Sequence, residues 1–447
     1  VEDTGDKKAL ADLLTRFLNC ENAAFDGFAI TAERVKALVP AIGKALDTAI
    51  KSAHGENPKF IGMYEVFLEL CRDALNPNIR QDAVDEMLIQ HVLVLPLLEA
   101  AFKLDNFVRR NLIASEVEKV AVALSDSSFD RAEMLKPLQP LYDAARLAAG
   151  KLDVFHDSET FISTVYERFF RGFSIDMVAT RDATHTPQSI VNFMNTLVVE
   201  VLESEFERSM SSEAFVMLDP AAGTGNFVAN MLRRADDKQL SDLYTQRLFA
   251  NEVMLLPYYL AALHIEHVHY TRMSRYAAFE GLGFVDTLTL TGEAASGLPS
   301  DDNAERIEQQ KGADITVIVG DPPYDLRQLS ENDTTRHRIY PQIDKQVRTA
   351  YVNGDITGAA KSAPEDAYIK FLRWATYRLG KRDGVVCLLT DNRFTDQDAF
   401  DGVRKRLLED YTRVYHVDLR GSSAQALRGV EREVGITLAI RSRKHKE

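Results

Sequence analysis

The densest chemistry in this chain lies in four consecutive residues, Asp321, Pro322, Pro323 and Tyr324, which close the β-type run Ile315–Val319. Two successive prolines fix the backbone, so the corner is rigid and holds the Asp321 carboxylate and the Pro322 carbonyl towards a cleft. Both groups are hydrogen-bond acceptors. Tyr324 offers an aromatic face on which a base can stack. This set answers the needs of an exocyclic amino group such as that of adenine. Its nitrogen is a poor nucleophile, because the lone pair is delocalised into the ring. Two acceptors that bind its hydrogens as positive charge develops during methyl transfer stabilise the transition state. An isolated Asp-Pro-Pro is as readily a simple turn, so the rest of the chain decides.

A second signal runs from Phe215 to Phe227 (FVMLDPAAGTGNF) and reads as strand, tight loop and helix. Gly223 and Gly225 let the backbone turn sharply and approach a ligand, and the helix that follows offers free N–H groups. A dinucleotide site would want glycine at position 228, which is Val228. Asp219 at the strand end would repel a phosphate, so the site favours a cationic or hydroxyl-bearing ligand. Glu252 ends the next strand and could accept both ribose hydroxyls. Asp286, at the following strand end, could accept from an adenine amine.

Elements that could position these residues are legible in the periodicity. Apolar runs at Ala214–Leu218, Leu248–Asn251, Ile315–Val319, Val385–Leu389, Val414–Leu419 and Ile436–Ile440 alternate with helical patterns at Phe227–Arg234, Pro257–His267, Ala367–Leu379 and Phe400–Asp410. Such alternation implies an α/β domain with a mostly parallel sheet that binds ligands beyond the carboxyl ends of its strands. Residues 1–152 read instead as a helical domain without visible chemistry: Leu10, Leu13, Leu14 and Phe17 share one face, as do Leu88, Val92 and Leu95. Loops are expected at His54–Pro58 and Asn76–Asn78. A further helix is expected over residues 157–172. The division therefore falls at 152/153.

The pair DPAAGTGNF and GDPPY resembles motifs I and IV of the amino-methylating DNA methyltransferases, over roughly residues 155–447. The resemblance implies a Rossmann-like class I fold that uses S-adenosyl-L-methionine. Asp219, Pro220, Ala221, Gly223, Gly225 and Phe227 would line the cofactor, Glu252 would hold its ribose and Asp286 its adenine ring. Thr186 and Pro187 match the Thr-Pro that touches the methionine end, with His185 where the family usually has Tyr. Asp321, Pro322, Pro323 and Tyr324 would be the catalytic set. Cytosine-N4 enzymes often carry Ser in place of Asp321, which points to adenine N6. The same chemistry on cytosine N4, an RNA base or a protein glutamine stays open, as does a scaffold that binds cofactor without turnover.

The motif order resembles the γ arrangement, in which target recognition follows catalysis. Sequences at Ile339–Arg348, Asp366–Trp374, Asp391–Phe394 and His416–Gly421 are similar to the methyltransferase region of Type ISP restriction–modification enzymes. That similarity implies a coupler role for residues 1–152, a target-recognition domain beyond the C-terminus, and helicase and nuclease parts before the N-terminus. No Walker A loop is present; Gly354–Ser362 misses its spacing.

Bulk properties narrow the partners. The net charge of −14 argues against wrapping nucleic acid over the whole surface. It leaves room for double-stranded DNA held by a local edge, for which Arg327, Arg336, Arg338, Lys345 and Arg348, in a loop over 325–350, are the candidates. Trp374 sits on an apolar helix face and belongs to the core. Three dispersed cysteines and no paired-histidine spacing imply no disulfide framework and no metal, as in a reducing cytoplasm. No run of apolar residues is long enough to span a membrane.

Overall fold

The computed structural model describes residues 28, 30–32, 34–35, 37–102, 107–125, 129–151, 186–291, 302–324, 339–351, 366–419 and 433–443. They fall into two compact units, Val1–Leu68 with Gln81–Ile175, and Glu69–Arg80 with Asp176–Glu447. The 152/153 division, the helix expected over 157–172 and the face around Leu10 lie outside the described residues.

The first unit is helical. Its main helices are α1 (Val39–Glu56), α2 (Pro58–Ala74, which counts with the second unit from Glu69 on), α3 (Gln81–Phe102), α4 (Leu112–Ser125) and α5 (Gln139–Lys151). Helix α3 is apolar almost all round and packs on α4 and α5, which explains why Leu88, Val92 and Leu95 are all buried. The loop expected at His54–Pro58 shrinks to one residue. Asn57 stands between two helices, and its Oδ1 accepts from Phe60 N (3.0 Å) to start the second. Buried His91 on α3 is bonded to Glu118 on α4 (2.8 Å), and Arg131 clamps the same carboxylate (2.8 and 2.9 Å). Burial lowers the His91 pKa against the pull of Glu118.

The second unit is built on a seven-stranded sheet: β1 (Met217–Asp219), β2 (Leu248–Glu252), β3 (Leu282–Phe284), β4 (Val317–Gly320), β5 (Gly384–Asp391), β6 (Arg413–Asp418) and β7 (Val434–Arg441). Strand order is β3-β2-β1-β4-β5-β7-β6. The first five strands are parallel; β7 runs antiparallel between β5 and β6. Continuous apolar runs such as Val385–Leu389 are buried on both faces, as parallel strands require.

Helices α6 (Gln188–Phe206), α7 (Asn226–Arg234) and α8 (Leu255–Met273) pack in succession, and α10 (Pro341–Tyr351) packs on α11 (Ala367–Leu379) and α12 (Asp401–Asp410). Between the two sets in sequence comes α9 (Asp302–Gly312), against β3. The chain crosses the sheet one way through β1-α7-β2-α8-β3 and the other way through β4-α11-β5. Right-handed crossovers in opposite directions put the two helix sets on opposite faces. The order in which the chain adds strands reverses between β1 and β4, and the crevice of such a sheet opens there. This is the Rossmann-like class I methyltransferase fold that the motifs imply, preceded by a helical region.

One sequence reading needs correction. Residues 341–351, read as part of a loop, form α10; Ile343, Val347 and Tyr351 repeat at helical spacing and are buried. The sheet is mostly parallel, as expected; β7 alone runs antiparallel to its neighbours, β5 and β6. Trp374 is fully buried, as expected, and its indole donates to Leu290 O (3.2 Å).

Candidate active site at the carboxyl edge of the sheet

Each parallel strand ends on or near a carboxylate: Asp286 after β3, Glu252 on β2, Asp219 on β1, Asp321 after β4 and Asp391 on β5. The glycine loop wraps the first of these ends. Ala222 N donates to Asn251 O (2.8 Å), and Gly223 N donates to Glu252 Oε2 (2.8 Å). Gly223 and Gly225 both take positive φ, +53° and +78°, the conformation that favours glycine. Gly225 also lies against α8; a Cβ there would come 3.0 Å from Ala261 Cα. A Cβ on Gly223 would meet none of the described residues within 4 Å, so among them the loop faces open space.

Helices α6 and α8 fix this loop from behind. Asn195 on α6 donates to Phe227 O (2.9 Å) and to Asn230 Oδ1 (3.0 Å). Buried His264 on α8 joins Thr224 O (3.0 Å) to the Arg233 guanidinium (3.0 Å). Arginine can only donate, so Nε2 accepts, and the ring proton sits on Nδ1 and donates to Thr224 O.

The loop's acidic residues are short of solvent. Glu252 Oε1 accepts from Val253 N (2.9 Å) and Met254 N (2.8 Å). Burial still pushes its pKa up to about 7, against those backbone donors and Gly223 N. Asp219 is 0% exposed; its Oδ1 accepts from Ala221 N (3.1 Å), and its Oδ2 accepts from none of the described residues. Burial raises its pKa to about 8, opposed by Ala221 N and reinforced by the Glu252 and Asp321 charges. A buried carboxylate oxygen without a donor invites a cationic or hydroxyl-bearing ligand.

The rigid corner meets this loop. A Cβ on Gly320 would fall 2.6 Å from Asp219 Oδ1 and 3.2 Å from Pro220 Cδ, so β4 ends against the Asp-Pro turn only because residue 320 is glycine. One residue on, Asp321 Oδ2 accepts from Thr186 Oγ1 (2.7 Å) and Oδ1 from Tyr324 OH (2.9 Å). Asp321 is half-buried, and desolvation pushes its pKa up to about 6 against these two donors. Thr186, read as a contact for the methionine end, thus also reaches Asp321. Tyr324 is only 4% exposed and its hydroxyl is engaged, so its ring does not stand open to a base. Pro187 opens α6, Pro322 is buried and Pro323 is half-buried.

Asp286 closes the far side. Its Oδ1 accepts from Leu288 N (3.0 Å) and its Oδ2 from Tyr340 OH (2.9 Å), while Thr287 Oγ1 ties the same turn to Pro220 O (2.6 Å). Lys345 and Arg348 are exposed one turn apart on α10; Arg327, Arg336, Arg338 and His185 lie outside the described residues.

Several participants were given no role from sequence. Gly320 lies in GDPPY and Tyr340 in the Ile339–Arg348 stretch, but neither was assigned a function. Arg393 bonds Asp391 through Nε (2.8 Å) and Asp366 through Nη2 (2.9 Å), yet its side chain is 39% exposed at the end of β5. A carboxylate directly closing a buried strand was the available signal for that pair.

Comparison with known proteins agrees with the motifs. Residues 32–157 match the model of the Type ISP restriction-modification enzyme coupler domain. The chain is similar to DrdV in its complex with DNA, with a TM-score of 0.84 and 30% identity over 98% of this chain and 44% of that one. The ATP-dependent Type ISP enzyme LlaBIII bound to DNA gives 0.81 and 26% identity, over 93% of this chain and 29% of its own. A nuclease-deletion mutant of the Type ISP enzyme LlaGI with a DNA substrate mimic gives 0.80 and 26%, over 92% and 35%. This chain therefore spans less than half the length of each of these three structures. The curated proteins give no match.

Proposed function

We propose that this chain is the coupler and methyltransferase part of a restriction–modification enzyme of the Type ISP kind, and that its second unit methylates N6 of an adenine flipped out of double-stranded DNA. The reading rests chiefly on Asp321, half-buried where the strand order reverses, beside an Asp219 oxygen that no described residue donates to. Asp219, Glu252 and the open space above Gly223 suit the ammonium and ribose of S-adenosylmethionine, and Asp286 suits its adenine amine. Bound there, that cofactor supplies an electrophilic methyl group.

The chain's own residues do the rest. Extruding the base costs a few kcal/mol. The Asp321 carboxylate has about four acceptor sites, and Thr186 and Tyr324 hold two of them. The remainder can take the base's amine, together with the Pro322 carbonyl. Charge developing on the nitrogen then meets fixed acceptors in a site largely closed to water. To stack on the base, the Tyr324 ring has to leave its buried position and release Asp321 Oδ1. Lys345 and Arg348 carry no ion pair among the described residues and suit backbone phosphates. Arg327, Arg336 and Arg338 extend the same basic stretch in sequence.

The test is Asp321→Ala in the full-length protein. Calorimetry with S-adenosylhomocysteine should give wild-type affinity, while tritiated methyl incorporation into DNA falls by about 10²-fold or more. Undiminished incorporation by the variant overturns the role of Asp321. Label entering RNA or protein instead of DNA overturns the substrate.

A further inference from the structure

Two hydroxyls hold Asp321, and only one of them can stay in place during the proposed reaction. Tyr324 OH, 2.9 Å from Oδ1, has to let go if its ring is to stack on the base. Thr186 Oγ1, 2.7 Å from Oδ2, has no such movement to make. Thr186 is buried and β-branched, so few rotamers are open to it. The next residue, Pro187, has its φ fixed at −57° as it opens α6, and its carbonyl accepts from Ile190 N (2.9 Å) and Val191 N (3.1 Å). Helix α6 packs on β4 and β5, and its Asn195 holds Phe227 O and Asn230 Oδ1 behind the glycine loop. The Thr186 hydroxyl therefore reaches the corner from a stiff base.

The other groups around Asp321 oppose its charge. Desolvation pushes its pKa up, and only the two hydroxyls pull it down; no basic side chain among the described residues pairs with it. Asp219 at the end of β1 is acidic and feels the Asp321 charge. Tyr324 feels both Asp321 and Asp391, at the end of β5. An acceptor for the amine has to be ionised, and it has to keep one oxygen turned to the base. We propose that Thr186 is a positioning residue for methyl transfer, which holds Asp321 ionised and oriented by donating to Oδ2 while Oδ1 receives the amine. A threonine hydroxyl has one proton. Given to Asp321, that proton is not available to the carboxylate at the methionine end of the cofactor, the end to which the Thr-Pro resemblance assigns this residue. The inference rests on the reading of Asp321 as the acceptor.

The test compares Thr186→Val, which keeps the branched shape without the hydroxyl, with Thr186→Ser, which keeps the hydroxyl. Two quantities are measured in the full-length protein. One is the pH profile of kcat/KM for DNA at saturating S-adenosylmethionine; the other is S-adenosylhomocysteine affinity by calorimetry. Loss of a donor to the charged form raises the Asp321 pKa. The acid limb of Thr186→Val should therefore move up by about one pH unit, with kcat down about tenfold above the limb. Its S-adenosylhomocysteine affinity should stay within about twofold of wild type. Thr186→Ser should restore the limb and most of the rate. Should Thr186→Val fail to melt cooperatively, Thr186→Ala carries the same expectations. An unmoved limb contradicts the proposal whatever the rate does. Weakened S-adenosylhomocysteine binding with an unmoved limb assigns the hydroxyl to the cofactor instead. A limb that Thr186→Ser leaves as displaced as Thr186→Val does also contradicts it, since loss of packing would then be the cause. If wild type transfers no methyl group to DNA, the methyltransferase reading fails and this inference with it. If wild type is active with a limb near pH 6 and Thr186→Val shares that limb, this inference alone fails.

Discussion

Three carboxyls short of solvent at neighbouring strand ends hold protons at a pH where free carboxyls have lost them: half-buried Asp321 up to about 6, and buried Glu252 to about 7 and Asp219 to about 8. A carboxyl raised on folding lends stability that is complete below its ordinary range and is lost as pH rises through the raised value. The ligand-free protein should therefore lose stability from this source between about pH 4 and pH 8. Asp219→Asn, which cannot ionise, should melt progressively higher than wild type over that range and come close to it only below about pH 4. A gap that stays constant with pH contradicts the burial of Asp219. In the proposed reaction Asp321 has to be ionised to accept from the amine. The acid limb of kcat/KM for methyl transfer should then lie near pH 6. A limb near pH 4 would mean that Asp321 is solvated. The identity of these residues was legible in sequence because each directly ends an apolar run. Their mutual charge was not legible, since it depends on which strands become neighbours.

At the level of elements, the glycine loop is a joint between three helices. Gly225→Ala puts a methyl group at 3.0 Å from the α8 backbone at a positive φ, and should cost about 1–3 kcal/mol in denaturant unfolding. A neutral result would show that α8 can back away from the loop. Asn195→Ala removes the amide that donates to both Phe227 O and Asn230 Oδ1, and should cost about 1–3 kcal/mol and loosen cofactor binding. Strand and helix periodicity located most of the second unit, because long buried strands and amphipathic helices write their pattern locally. Helix α10 was hidden by its charge: Asp344, Lys345 and Arg348 masked the spacing of Ile343, Val347 and Tyr351. The antiparallel entry of β7 left no local trace, since its residues alternate no differently from a buried parallel strand. The short interruption at Asn57 was read as a loop because Gly55 and Pro58 are breakers in isolation, whereas here Pro58 simply opens the next helix.

Across the whole molecule, a net charge of −14 leaves little surface for a polyanion. DNA contact should be confined and strongly salt-dependent. Replacing Lys345 and Arg348 with Glu should weaken DNA binding by a similar factor on every sequence. It should also lower the slope of log affinity against log salt by about one per lost phosphate contact. A slope equal to that of wild type would remove α10 from the DNA interface. The central claim, methylation of adenine N6, is tested most directly by the product. Unmethylated DNA is incubated with the full-length protein and S-adenosylmethionine, digested to nucleosides and resolved by mass spectrometry against standards. The account predicts N6-methyldeoxyadenosine, absent when Asp321→Ala replaces wild type. N4-methyldeoxycytidine as the product, or no methylated nucleoside from a protein that binds both DNA and cofactor, would contradict it.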